Sequence, residues 1–464
     1  MHKVPEFAFA TRLQKRRGGV SIWPQCNNSF ASCQGAPVAT TRNGTYVGRY
    51  LAEFSQDLFL GIPFPKAGRL ENPSPYNESW EVTRSAEWLG NICPCPASPQ
   101  SIRNANVTGI SEDCRNLNTI RPSQATLKRK DEKLPVAVWF YGGDIADGFG
   151  ADLNSSFSWI VQESLAQDMA IMAVTLNYGV GFLGFPGGTE VAAAGVTNLG
   201  LKDQRQALRW IQENIAAFGG DLDKVTVWGQ SAGANSIAYQ LLAYGAKTDE
   251  KLFRGAIMSS GSIGIGNAVH PDREDAVQGY RAVLNATNCL DAEDALGCLR
   301  AVPLDEVFEA GEATGTHPTW WPTVDGDFIP QPPSLQLEAG EFLVTCPSSQ
   351  GPTTTKLKRF VLADIDPHPD AVPGAAGIQY SYFFRFLRDY DLYGNNPPVA
   401  TSSSHLVLFH AISAMLIAYV YMGDSNSVHI SSVPVWPKYS VKKPSNLVFN
   451  ATETPDVLNI RVRA

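Results

Sequence analysis

The sequence predicts an α/β protein built on a mostly parallel central sheet with helices on both faces. Three observations carry this prediction. The runs "LPVAVWFYGG" (134 to 143) and "MAIMAVTLNYGVGFLGF" (169 to 185) are near-continuously apolar, as strands covered on both sides must be. "ALRWIQENIAAFGG" sets Leu208, Ile211, Ile215 and Phe218 on one helical face and stops at Gly219 and Gly220. Strands and amphipathic helices alternate along the chain, the pattern that parallel pairing with helical crossovers requires.

Taken in order, residues 1 to 35 read as an irregular leader and 36–464 as one domain. Strand and helix patterns alternate from Ala36 to about Val344. Within "VTVWGQSAGAN" (225 to 235), Val225, Val227 and Trp228 suit a strand. "GANSIAYQLLAYG" then places Ala234, Ile237, Ala238, Leu241 and Leu242 on one face of a helix, with Gly245 suited to its C-terminal cap. From 345 to 375 the pattern decays into Pro, Thr, Ser and Asp. A helix around 405 to 422 and a strand over "NLVFNA" (446 to 451) close the chain. The longest apolar run, "AISAMLIAYVYMG" (411 to 423), is too short to span a bilayer and reads as a core helix, so no transmembrane segment is expected.

Composition narrows the partners. A net charge of -8 over 464 residues leaves no basic stripe, which excludes nucleic acid. Cys289 and Cys298 bracket a short loop, and Cys93 or Cys95 with Cys114 brackets another; neither spacing fits a zinc ligand set, and no metal or cofactor is expected. N-x-S/T sequons occur at Asn27, Asn43, Asn77, Asn106, Asn154, Asn285 and Asn450. With the loop-closing cysteines they favour a disulfide-bonded, secreted glycoprotein, although "MHKVPEFAFATRLQKRRGGV" carries no apolar signal core.

The chemistry centres on Gly229-Gln230-Ser231-Ala232-Gly233. Small residues crowd any tight turn, so Gly-x-Ser-x-Gly alone says little. Between a strand and a helix it becomes a nucleophile elbow, where the glycines let the backbone turn tightly enough to expose the Ser231 hydroxyl. The helix N-terminus beyond it brings backbone N–H groups and a positive dipole end to where an oxyanion would form.

At this point the chain resembles the type-B carboxylesterase and lipase family, which includes the cholinesterases. The matching blocks run in order: "FLGIPF" (59 to 64), "SEDCRNLNTIRP" (111 to 122), "VWFYGGD" (138 to 144) and "NYGVGFLGF" (177 to 185). They continue with "NLGLKDQRQALRWIQENIAAFGGDLDKVTVWGQSAGA" (198 to 234), "LFRGAIMSSGS" (252 to 262) and "PTVDGDFIP" (322 to 330). The resemblance implies an α/β-hydrolase fold and hydrolysis of a small-molecule or lipid ester through an acyl-enzyme on Ser231. It implies disulfides at Cys289–Cys298 and at Cys114 with Cys93. It also implies an oxyanion hole from the N–H groups of Gly143, Asp144 and Ala232.

The chain departs from that pattern around the nucleophile and in the triad. Asp144 stands where a third glycine is expected, and its carboxylate opposes the negative charge that the hole should stabilise; Gln230 replaces a frequent glutamate. The second departure concerns the triad. A serine needs a base held by a carboxylate, in the chain order Ser, acid, His. The family's D-E-G-like turn after "PTVDGDFIP" is absent, which leaves Asp364 and Asp366 as the nearest carboxylates. His270 and His317 precede any acid, and His429 falls too late. Of His368, His405 and His410, His405 lies nearest the family interval after "YSYFFRF" (380 to 386), while His410 opens an apolar helix. This region is several dozen residues shorter than the family's. An active serine esterase is therefore weighed against a catalytically impaired binding protein on the same fold, and against an incomplete translation of an active esterase gene.

Overall fold

Eight strands make the central sheet: β1 (Arg49–Leu51), β2 (Gln56–Pro63), β3 (Asn116–Pro122), β4 (Leu134–Phe140), β5 (Met172–Leu176), β6 (Gly220–Gln230), β7 (Gly255–Ser259) and β8 (Phe360–Ala363). Their spatial order is β8-β7-β6-β4-β5-β3-β2-β1 in this computed structural model. It describes residues 35–96, 107, 109–129, 131–151, 157–247, 249–259, 261, 268–314, 319–343, 360–363, 403–428, 434–435, 446–451 and 458–463. The half that carries the elbow is parallel: β5 to β4, β4 to β6, β6 to β7, and β7 to β8. The other half, β1 to β3 and on to β5, is an antiparallel meander. The apolar runs mark the first half; β2 and β3 are buried as well, but Gln56, Asp57, Asn116, Asn118 and Thr119 interrupt their apolar pattern.

The helices that bear on the site and its surroundings are α1 (Ser158–Ala166), α2 (Gly181–Gly184), α3 (Leu199–Asn214), α4 (Ala232–Leu242), α5 (Glu274–Ala286), α6 (Ala295–Ala301), α7 (Leu304–Ala313) and α8 (Ser403–Met422), with short helices at Thr189–Ala193 and Pro333–Ala339. Strand alternation divides the core between the two faces. Val136, Val138, Val225 and Val227 pack with Leu208 and Ile211 of α3 and Ile237 and Leu241 of α4. On the other face, Ala137, Trp228 and Ile257 pack with Val161 of α1 and Met415, Leu416, Tyr419 and Val420 of α8. Fully burying one such aliphatic side chain contributes about 1.5–3 kcal/mol, so both helical layers hold the sheet that carries the elbow.

Helix α3 begins at Leu199, eight residues before the apolar periodicity becomes visible. Its first turns bury Lys202, Asp203, Gln204 and Arg205, polar residues that hide the helical stripe. The expected stop holds: Gly219 takes φ 87 after the short 3-10 turn Ile215–Phe218. The closing strand, β9 (Asn446–Ala451), pairs with β10 (Leu458–Arg463) as an antiparallel hairpin, and β10 was not anticipated from the sequence. Among the described residues no helix is long and apolar enough to cross a membrane.

Both implied disulfides are present, Cys93–Cys114 and Cys289–Cys298, and Cys95 lies buried beside the first. Cys26, Cys33 and Cys346 lie outside the described residues. One sequon is corrected. Asn43 is 8% exposed and its amide donates to the carbonyls of Tyr76 and Glu78, so it is not open to a glycosylating enzyme in the folded chain. Asn77 and Asn285 are exposed, while Asn27, Asn106 and Asn154 and the side chain of Asn450 lie outside the described residues.

Candidate active site

Ser231 closes β6 and caps α4 with φ 51 and ψ -122, a conformation that side-chain-bearing residues adopt only under constraint. Two backbone hydrogen bonds hold it there: its N–H donates to Ser259 of β7 at 2.8 Å, and its carbonyl accepts from Asn235 of α4 at 3.0 Å. The turn also requires Gly233. A Cβ at that position would lie 2.1 Å from the Phe140 carbonyl oxygen, so only glycine lets α4 start directly against the end of β4.

That approach brings the second glycine motif to the serine. A Cβ on Gly142 would sit 3.2 Å from Ser231 Cβ and 2.7 Å from the Gln230 carbonyl oxygen. The loop after β4 then curls through positive φ at Gly143 (102), Asp144 (61) and Ile145 (65), and the Gly143 carbonyl accepts from the N–H groups of Ala146 and Asp147. Gly143 and Asp144 are exposed beside the half-buried Ser231, and Ala232 is buried in the first turn of α4.

The loop is laced from behind by groups that the sequence reading did not single out. The rings of Tyr141 and Tyr178 stack with centroids 4.0 Å apart. Each hydroxyl donates to the other residue's carbonyl at 2.6 Å, and Tyr141 Oη accepts from the Tyr178 N–H. Both rings are fully buried, and burial drives their hydroxyl pKa values far up, so they act as fixed neutral donors. Behind Tyr178, the next N–H, that of Gly179, donates to Asp203 Oδ2 at 2.9 Å, and Arg115 pairs with the same oxygen at 3.1 Å. Burial pushes the Asp203 carboxyl up, against the pull of Arg115. A continuous chain therefore runs from α3 through Asp203, Gly179, Tyr178 and Tyr141 to the loop beside Ser231. The blocks "VWFYGGD", "NYGVGFLGF" and "LKDQ" contain all of it, but nothing in linear spacing says that they meet.

The electrostatics beside the loop are acidic. Burial and then the charge of Asp147 raise the carboxyl pKa of Glu312, on α7. Asp147 Oδ1 accepts from the Gly148 N–H at 2.6 Å. With Asp144, three carboxylates border the loop on which the resemblance places the oxyanion donors.

The remaining expected residues, His270 apart, fall wholly or in their side chains outside the described residues. His405 and His410 fall in the first half of α8, with side chains outside the described residues, as are the whole of Asp364, Asp366, His317, His368 and His429. His270 is exposed. Among the described residues no group of His, Cys, Asp and Glu could hold a metal ion.

Residues 35–368 match the model described as the carboxylesterase family. Secreted lipase 1 of Botryotinia fuckeliana is 35% identical, over 62% of this chain and 54% of that protein. The inactive carboxylesterase-like protein VdtD of Byssochlamys spectabilis is 31% identical, over 64% of this chain and 53% of that protein. A solved PNB esterase superposes with a TM-score of 0.71 at 23% identity, over 92% of this chain and 97% of that one, a likeness of fold. The chain spans about half the length of the curated relatives it matches.

Proposed function

We propose, on the premise that the chain belongs to the carboxylesterase family, that it is a secreted carboxylic ester hydrolase acting on small-molecule or lipid esters. The observation that carries this reading is the strained backbone of the half-buried Ser231 at a strand-to-helix turn, with the glycine loop pressed against it. Ser231 Oγ attacks the ester carbonyl carbon while His405 takes its proton. The carbonyl oxygen becomes an oxyanion facing the N–H groups of Gly143, Asp144 and Ala232. The C–O bond to the alcohol then breaks, His405 returns the proton to the alcohol, and water repeats the sequence to release the acid from Ser231.

Chain geometry supports His405. Arg254, next to the amino end of β7, donates to the carbonyls of Val420 and Tyr421, which anchors the last turn of α8 there. From that anchor back to His405, about fifteen residues of helix rise roughly 22 Å, longer than β7. The residues that follow β8 supply Asp364 and Asp366 as candidates for the acid that orients the base. The relative named a secreted lipase supports the extracellular setting, as do the two disulfides.

A second reading is favoured by the three carboxylates around the loop: a binding protein that keeps the fold and has lost turnover. The relative whose name carries "inactive" supports it. A fluorophosphonate probe decides between the two. On the esterase reading it labels Ser231 alone, and Ser231→Ala removes the label. An intact, folded protein that takes up no label supports the binding reading.

A further inference from the structure

A cleft of about 360 Å³ lies between α5, the loop stapled by Cys289–Cys298 and the short helix Thr189–Ala193. This is within the size range of small-molecule sites. Leu284, Leu290 and Leu296 give it apolar walls. Glu190, Glu293 and Asp294 line it against a single arginine, Arg281, so its charge is negative.

Tyr280 also lines the cleft, is 2% exposed, and has a hydroxyl without a hydrogen-bond partner. A buried hydroxyl left unpaired costs roughly 1–3 kcal/mol. Burial, then the charges of Glu190 and Asp294, push its pKa up to about 12. Both carboxylates line the same cleft as the hydroxyl, yet neither bonds to it. One oxygen of Asp294 is used, accepting from the Gly297 N–H at 2.9 Å as the cap of α6. Arg300 acts on Tyr280 from a distance but is spent on the carbonyls of Arg69 and Leu70. What remains is a buried Tyr280 hydroxyl with its lone pairs unused, in a cleft whose lining also carries the Glu190 and Asp294 carboxylates, neither of them bonded to it.

We propose that this cleft binds a primary ammonium ion carried on an apolar body. The ammonium donates to Tyr280 Oη and to the Glu190 and Asp294 carboxylates, and the body lies against Leu284, Leu290 and Leu296. Glu190 and Leu290 are exposed, so their side chains can turn aside to admit it on the nanosecond scale. The disulfide keeps the opposite wall in place. The residues belong to elements that contribute nothing to the elbow or its glycine loop, so the site is independent of the proposed hydrolysis.

The test is titration calorimetry on the full chain with phenethylammonium, with phenylacetate and 2-phenylethanol as probes of the same shape and different charge. Phenethylammonium is expected to bind one per chain, and the anion and the alcohol about tenfold more weakly or not at all. Tyr280→Phe keeps the ring, removes only an unpaired hydroxyl and leaves the fold intact. It is expected to weaken binding about tenfold through loss of a charge-assisted bond. Glu190→Gln, at an exposed position, is expected to weaken it about threefold. Equal binding of all three probes, binding unchanged in both variants, or no binding of phenethylammonium would each overturn the proposal.

Discussion

At the residue scale, the elbow was readable because it is local. The glycines on either side of Ser231 and the apolar strand before it lie within a dozen positions, and the steric demand at Gly233 follows directly. Asp144 was readable only as a departure, and the structure adds its cost. It sits at φ 61, a left-handed conformation that glycine adopts freely, on a loop that also carries Asp147 and faces Glu312. Asp144→Gly is therefore expected to raise kcat for a simple acyl ester several-fold with KM little changed, since the oxyanion exists only in the transition state and intermediate. Steady-state kinetics on the two proteins check this, and an equal or lower kcat in the folded variant contradicts it. The Tyr141–Tyr178 pair could not be read, because its partners are separated by 37 positions and meet only through the sheet. Tyr178→Phe leaves the Tyr141 carbonyl buried without its donor. The expected loss is about 1–3 kcal/mol by denaturant unfolding, with a fall in kcat as the loop loses its support. Unchanged stability and turnover would mean that the stacked rings alone hold the loop.

At the scale of elements, β4 and β5 surfaced in the sequence as continuous apolar runs, whereas the equally buried β2 and β3, which carry Gln56, Asp57, Asn116, Asn118 and Thr119, did not. Helix α3 shows the same effect. Its first turns approach the Gly179 loop so closely that a Cβ on Gly200 would lie 2.3 Å from the Gly179 carbonyl, and its polar side chains turn inward as ties. One tie predicts a pH effect. Arg205 and Arg209 of α3 pair with Glu250 at 2.8 and 2.7 Å. Burial pushes the Glu250 carboxyl up, but the Arg209 hydrogen bond and the Arg205 charge outweigh it and hold the pKa below its ordinary 4.5. A folded value below the unfolded one gives stability that is present above 4.5 and lost as pH falls through the folded value. Glu250→Gln should therefore lower stability at neutral pH and flatten its decline on acidification. Parallel acid limbs in denaturation curves of the two proteins would remove Glu250 from this role. The Cys289–Cys298 staple belongs to the same scale. Closing so short a loop contributes about 2–3 kcal/mol, so replacing both cysteines by serine should lower unfolding stability by that amount and weaken the adjoining cleft.

For the molecule as a whole, the class of fold was legible and the order of the sheet was not, since β8 reaches the β7 edge from more than a hundred residues away in the chain. That long return bears on the triad. Ser259 of β7 is in register with Gln230 on one side and with Ala363 of β8 on the other. The carboxyl ends of β6, β7 and β8 therefore finish side by side, and Asp364 is the first residue past that edge. Helix α8 is tied to Arg254 through the Val420 and Tyr421 carbonyls and carries His405 in its first turn. The proposed nucleophile, acid and base thus occur along the chain in the order Ser, Asp, His. The prediction is that His405→Ala slows fluorophosphonate labelling of Ser231 about a hundredfold or more, the range for loss of a general base. His368→Ala and His410→Ala should leave the rate unchanged. Of Asp364→Asn and Asp366→Asn, one should slow labelling strongly and the other should not, because a single carboxylate orients the imidazole. Circular dichroism on each variant separates lost chemistry from lost fold. A folded His405→Ala protein that labels at the parental rate would remove His405 from the site and leave Ser231 to act with a different base or with none.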